Sequence, residues 1–81
     1  MNGTFRSSVH EELRRLLRER RRQIEMTQHE LAAKMGRYSS FVGAVEKGQH
    51  RVTVAEFLDF ASALDLDPSA VIRKLAKAAK R

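Results

Sequence analysis

Apolar positions recur along this chain at intervals of three and four rather than two, which argues for helices and against strands. Val9, Leu13, Leu16, Leu17 and Ile24 form a first stripe, and Ser8 with Glu11 has the form of a capping box, so a helix is predicted from Val9. Thr27 with Glu30 predicts a second start, with Leu31, Ala32 and Met35 inward and Gly36 as the left-handed stop. A third helix is predicted from about Ser39 to Lys47, ending at Gly48. Thr53 with Glu56 opens a fourth, with Val54, Phe57, Leu58, Ala61 and Leu64 as its apolar residues. Asp67 followed by Pro68 is a cap with proline at the first helical position. The fifth helix carries Val71, Ile72, Leu75 and Ala79 on one side. The fold class is therefore all-α: five helices with short links, the second and third too short to stand alone. The expected organisation is one domain over residues 1–81, with an arm at 1–8, a four-helix core at 9–66 and a C-terminal helix at 67–81.

Length and composition narrow the function. Eighty-one residues leave no room for a second core. There is no cysteine, which excludes a disulfide scaffold, a thiolate metal site and a cysteine nucleophile. No apolar run approaches membrane-spanning length, and the N-terminus lacks the regions of a signal peptide, so a cytoplasmic protein without a membrane partner is expected. Sixteen Lys and Arg against ten Asp and Glu leave a net charge of +6, which points to a polyanionic partner. The charge is uneven. Residues 56–67 hold four acids and no base, whereas residues 73–81 hold five bases and no acid.

Against that basic background the third helix is conspicuously neutral. On a helix, Tyr38, Phe41, Val42 and Val45 fall on one side, expected to face the core, with Glu46 at the margin. Ser39, Ser40, Gly43, Ala44 and Lys47 fall on the other. Such small side chains let a backbone approach another surface closely. That surface could be a protein, or the DNA major groove, where hydroxyls meet base edges and the Ala44 methyl meets thymine methyls. A short preceding helix across a glycine turn favours the DNA reading.

The ordered set "TQHELAAKMG…SSFVGAVEKG" resembles the helix-turn-helix of the phage lambda repressor and Cro family, the XRE-like family, over roughly residues 9 to 68. The resemblance implies a DNA-binding fold with roles for matching positions. Gln28 is expected to meet a phosphate and brace the start of the third helix. Ser39, Ser40 and Ala44 take base-facing places, and Lys47, Gly48 and Arg51 take places on backbone phosphates. Arg21 and Glu46 match a structural salt bridge. Two departures stand out. Tyr38 holds the usual cap position of the third helix, so the cap bond is expected to be lost. The base-facing places also lack long amide or guanidinium side chains, which shifts specificity towards DNA shape.

Other constellations are weak. His29-Glu30 begins like a zinc-hydrolase motif, but Ala33 stands where the second histidine belongs. His10, His29 and His50 lack metal spacing, and Asp65 and Asp67 look like loop and cap residues. No metal, cofactor or enzymatic activity is expected. Arg18, Arg20 and Arg22 are expected on a solvated face, and Arg6 in a frayed or DNA-following arm. The expectation is a sequence-specific regulator of double-stranded DNA operators, acting as a homodimer with the fifth helix in the interface. A phage repressor, a restriction–modification controller and an antitoxin all fit. An adaptor that binds a protein partner instead of DNA is the alternative.

Overall fold

The computed structural model describes residues 8–79. These residues form α1 (Ser8–Gln23), α2 (Gln28–Lys34), α3 (Phe41–Glu46), α4 (Val54–Leu64) and α5 (Pro68–Ala79), with no strand among them. The arm with Arg6 lies outside the described residues, as do positions 80 and 81.

Two helices start as local chemistry dictates. At α2 the Thr27 hydroxyl accepts from the Glu30 N–H at 3.0 Å, and the Glu30 carboxylate accepts from the Thr27 N–H at 2.9 Å. At α4 Thr53 and Glu56 make the same reciprocal pair, at 3.1 and 2.9 Å. Each satisfies two backbone donors that a helix start leaves without partners. Asp67 accepts from the Ser69 N–H at 3.0 Å before α5.

The helix ends share another device. In α1 to α4 a left-handed residue closes the helix, and the next N–H reaches back five residues to a carbonyl. The four left-handed residues are Glu25, Gly36, Gly48 and Asp65. The closing bonds are Met26 to Arg21, Arg37 to Ala32, Gln49 to Ala44 and Leu66 to Ala61, at 2.8–3.0 Å. Glu25 adopts a conformation that side chains normally disfavour, whereas aspartate, as at Asp65, enters it more readily.

Several expectations are corrected. Ser8, expected as the cap of α1, is already helical, and its hydroxyl lies 3.4 Å from the Ala78 carbonyl of α5, to which it donates. Helix α3 begins at Phe41, because Ser39 and Ser40 form a turn closed by the Phe41 N–H on the Tyr38 carbonyl. Tyr38 is not core. It is 61% exposed, with its ring edge-on to Phe41. On α4 the inward line is Phe57, Phe60, Ala61 and Leu64, spaced at three and four, which turns Val54 and Leu58 out to solvent. On α5 Val71, Leu75 and Ala78 are buried, whereas Ile72 and Ala79 face outward. Arg20 is not merely solvated. It donates to the Leu64 carbonyl at 2.9 Å and lies within 3.3 Å of the Asp65 carbonyl, tying α1 to the end of α4.

The core gathers Leu17, Leu31, Val42, Val45, Phe41, Phe60 and Leu64, all essentially inaccessible. α5 packs along α1, and α3 is wedged between α1 and α2. The shortest helix therefore has one face fully buried by its neighbours, and the opposite face is what remains for a partner.

Candidate nucleic-acid interface

The outward face of α3 forms the floor of a shallow concavity. Gln28, Tyr38, Ser40, Gly43, Ala44, Lys47 and Gln49 line it. Five of the seven residues assigned to DNA from the sequence thus share one surface. Ser39 and Arg51 are exposed but lie outside that lining, Ser39 in the turn before α3 and Arg51 in the loop before α4. Gln49 was not anticipated, although a signal was present. Glycine at position 48 ends α3 in a closing turn, and that turn folds Gln49 back towards Ala44, whose carbonyl its N–H bonds at 2.8 Å.

Three polar side chains hold the C-terminal end of α3. Arg21 donates through Nε to Glu46 Oε2 at 2.8 Å and through Nη2 to Glu46 Oε1 at 3.0 Å, a bidentate pair. Its third nitrogen donates to the Met26 carbonyl at 2.9 Å. The two side chains are only 10% and 7% exposed. Gln28 completes the set by donating from Nε2 to Glu46 Oε1 at 2.9 Å. Gln28 therefore braces the end of α3, not its start. It does so by lying across Gly43, where an added Cβ would sit 3.4 Å from the Gln28 oxygen. A Cβ at 43 would just touch Gln28, so only a larger side chain there would push it aside.

The N-terminal end is held differently. Phe41, the first residue of α3, has His50 edge-on at 5.1 Å, Phe60 stacked at 5.9 Å and the Arg37 guanidinium 4.6 Å above its ring. Glu56 organises two of these neighbours. Its carboxylate lies 3.0 Å from His50 Nε2 and 3.4 Å from Arg37 Nη2. Burial alone would raise the Glu56 pKa, but the Thr53 N–H, then His50 and Arg37, together hold it below the ordinary value.

Beyond the concavity, the loop before α4 is tied to α1. His10 Nε2 is 3.4 Å from the Val52 N–H, and its Nδ1 is 3.1 Å from Arg14 Nη1. Burial, then the nearby Arg14 and Arg51 cations, push the His10 pKa down. Among the described residues no cluster of three His, Asp or Glu side chains is placed to hold a metal ion. No described helix is long and apolar enough to cross a membrane.

Two short helices joined by a left-handed glycine turn, the second wedged into the core and offering a small-residue face, define a helix-turn-helix protein. The chain belongs to the XRE-like helix-turn-helix family, a family of DNA-binding regulatory folds. The family model described as a helix-turn-helix domain matches residues 12–78. The chain is similar to an XRE-family like protein from Pseudomonas syringae pv. tomato str. DC3000. That match has 40% identity and a TM-score of 0.80, over 85% of this chain and 84% of the other. It is also similar to the restriction-modification controller protein C.AhdI from Aeromonas hydrophila. There the identity is 34% and the TM-score 0.70, over 88% of this chain and 99% of the other. No curated protein sequence matches it.

Proposed function

We propose that this protein is a transcriptional regulator, a repressor by occupancy, that reads double-stranded operator DNA with α3 in the major groove. The observation that carries this reading is the concavity over Ser40, Gly43 and Ala44, small and uncharged at its floor, with Lys47 at its rim. Uncharged small groups suit base edges, and cations at the rim suit phosphates. Lys47 and Arg51 act on the backbone, Ser40 and Ala44 on bases, and Gln28 positions the end of α3. Ser39 stands at the groove edge. The folded unit is one domain, and nothing in this mechanism calls for a cofactor.

The protein acts as a homodimer. Val54, Leu58 and Ile72 are 78%, 49% and 52% exposed, and with Phe57 and Pro68 they line one apolar groove across α4 and α5. Contiguous apolar surface of this kind marks an interface. A two-fold pairing on it gives two reading helices for an inverted repeat, with half-sites about one helical turn apart. Among the possible settings, the likeness to C.AhdI favours a restriction–modification controller over an antitoxin or a prophage repressor.

Selection of bound duplexes from a random pool tests this directly. An inverted-repeat operator is expected, and sedimentation should give twice the monomer mass. Gly43→Leu should abolish operator binding while circular dichroism stays helical, because leucine both fills the concavity and displaces Gln28. Normal operator binding by that variant would remove α3 as the reading helix and leave its small face as a protein contact, whereas failure of the unaltered protein to bind any duplex would favour the adaptor.

A further inference from the structure

We propose that Gln49, which lies beyond the end of α3, reads an adenine in the operator. This role rests on the reading of α3 as the DNA-reading helix and gives direct base recognition to a residue that this reading leaves without a part.

The floor of the concavity, Ser40, Gly43 and Ala44, is too short-chained to grip a base at two points. Two long amides border it, Gln28 and Gln49. The first is engaged. Its Nε2 donates to Glu46 Oε1 at 2.9 Å, and its oxygen lies against Gly43. Gln49 contributes only its backbone to the fold, through the N–H on the Ala44 carbonyl at 2.8 Å. Its side chain is exposed, and the amide makes no hydrogen bond with any described residue. A primary amide carries a donor and an acceptor side by side. Of the four bases adenine alone presents their complement in the major groove, with N6 donating and N7 accepting. Guanine offers two acceptors there, one of which would face the amide oxygen.

The backbone fixes where that amide starts. Gly48 is left-handed, with φ of 82°, and its turn carries Gln49 past the end of α3 and back to Ala44. A Cβ at position 48 would come within 3.1 Å of the Arg14 guanidinium carbon, so a side chain of α1 packs directly on this turn. His50, the next residue, meets Phe41 edge-on at 5.1 Å and Glu56 at 3.0 Å. Gln49 is therefore held between a bonded helix end and a ring anchored beside the core. On gripping a base it loses side-chain freedom and little else. The small floor leaves space for a long side chain to reach in from beyond the helix. Ser40 and Gln49 stand at opposite ends of α3. Its six residues span about 9 Å, against about 3.4 Å between stacked bases, so the two side chains meet different base pairs.

The test is selection of bound duplexes from a random pool, using the whole protein and the variants Gln49→Ala and Gln49→Glu. Affinities are then measured for the selected operator and for each single-base change in one half-site. Thermal melts run in parallel, and both variants should melt like the unaltered protein. The unaltered protein should require adenine at one position per half-site. Replacing that adenine should weaken binding about 5- to 150-fold, as loss of a bidentate pair does. Gln49→Ala should lose this preference and keep the others. Gln49→Glu should move it to cytosine, whose N4 donates to a carboxylate. If Gln49→Ala retains every preference, or weakens all duplexes alike, the proposal is overturned, and the second result makes Gln49 a contact to the sugar–phosphate backbone. Should Gln49→Ala fail to fold, an adenine preference unmoved in Gln49→Glu overturns it equally. If Gly43→Leu abolishes binding while Gln49→Ala changes nothing, Gln49 falls and α3 remains the reading helix. If the unaltered protein binds no duplex at all, both readings fall together.

Discussion

Helices α2 and α4 each open on a threonine with a glutamate three residues later, and each of those pairs closes its own helix start. Helix α3, which lies between them in the chain, opens on Ser40 with no side-chain cap bond. Its six residues are below the length at which a helix is stable in water. What α3 lacks locally it receives from two glutamates outside its own start. Glu46 at its end is gripped by Arg21 and Gln28, and Glu56 at the head of α4 arranges His50 and Arg37 around Phe41. The starts of the flanking helices are set by their own sequence, while α3 is set by its neighbours. Its outward face is thereby relieved of any role in stability and is left open to a ligand.

That comparison can be broken most forcefully at Glu46. Glu46→Ala leaves the Arg21 guanidinium buried with a carbonyl, that of Met26, in place of a carboxylate, and should cost about 3–5 kcal/mol in chemical denaturation. A loss below about 1 kcal/mol would mean the pair behaves as a surface bridge, and α3 would need another anchor.

Next come the two capping boxes. Thr27→Ala and Thr53→Ala should each cost about 1 kcal/mol, as a lost N-cap does. The second should be the more damaging, since Glu56 is buried and serves both α4 and the Phe41 cluster. Equal losses would uncouple Glu56 from α3. The same carboxylate predicts a pH effect. Its folded pKa is depressed, so its stabilisation is complete above the ordinary carboxylate value of 4.5 and is lost as pH falls from there through the folded value. Melting temperature should decline in that acid window, and Glu56→Gln should show a smaller decline.

Smaller still is Glu25→Gly. It should stabilise by about 0.5–1 kcal/mol in a thermal melt, because Glu25 has φ of 57° and glycine carries no penalty there. The smallest expected effect is Ser40→Ala. With no cap bond to lose, stability should change by less than about 0.5 kcal/mol, while operator preference relaxes at one or two positions per half-site by roughly 1 kcal/mol. A large stability loss would place Ser40 among the structural caps and sharpen nothing about DNA.

Much of the helical layout is legible in the chain, because the starts of α2, α4 and α5 and the stops of α2 and α3 are local chemistry. Thr27 with Glu30, Thr53 with Glu56, Asp67 before Pro68, and the glycines at 36 and 48 act within a few residues of themselves. The chain also carries the split between the buried side of α3, Phe41, Val42 and Val45, and its small outward side, since helical period alone separates them. Other features depend on where one helix meets another. The turn of Val54, Leu58 and Ile72 away from the core depends on how α4 and α5 lie against α1, α2 and each other. The placement of Arg20 on the end of α4 depends on a neighbour 44 positions away. The left-handed turn at Glu25 runs against the preference of the residue itself, so no local signal announces it. Gln28 reaches the far end of α3 by crossing Gly43 to Glu46, 18 positions away, and no spacing within the chain encodes that crossing.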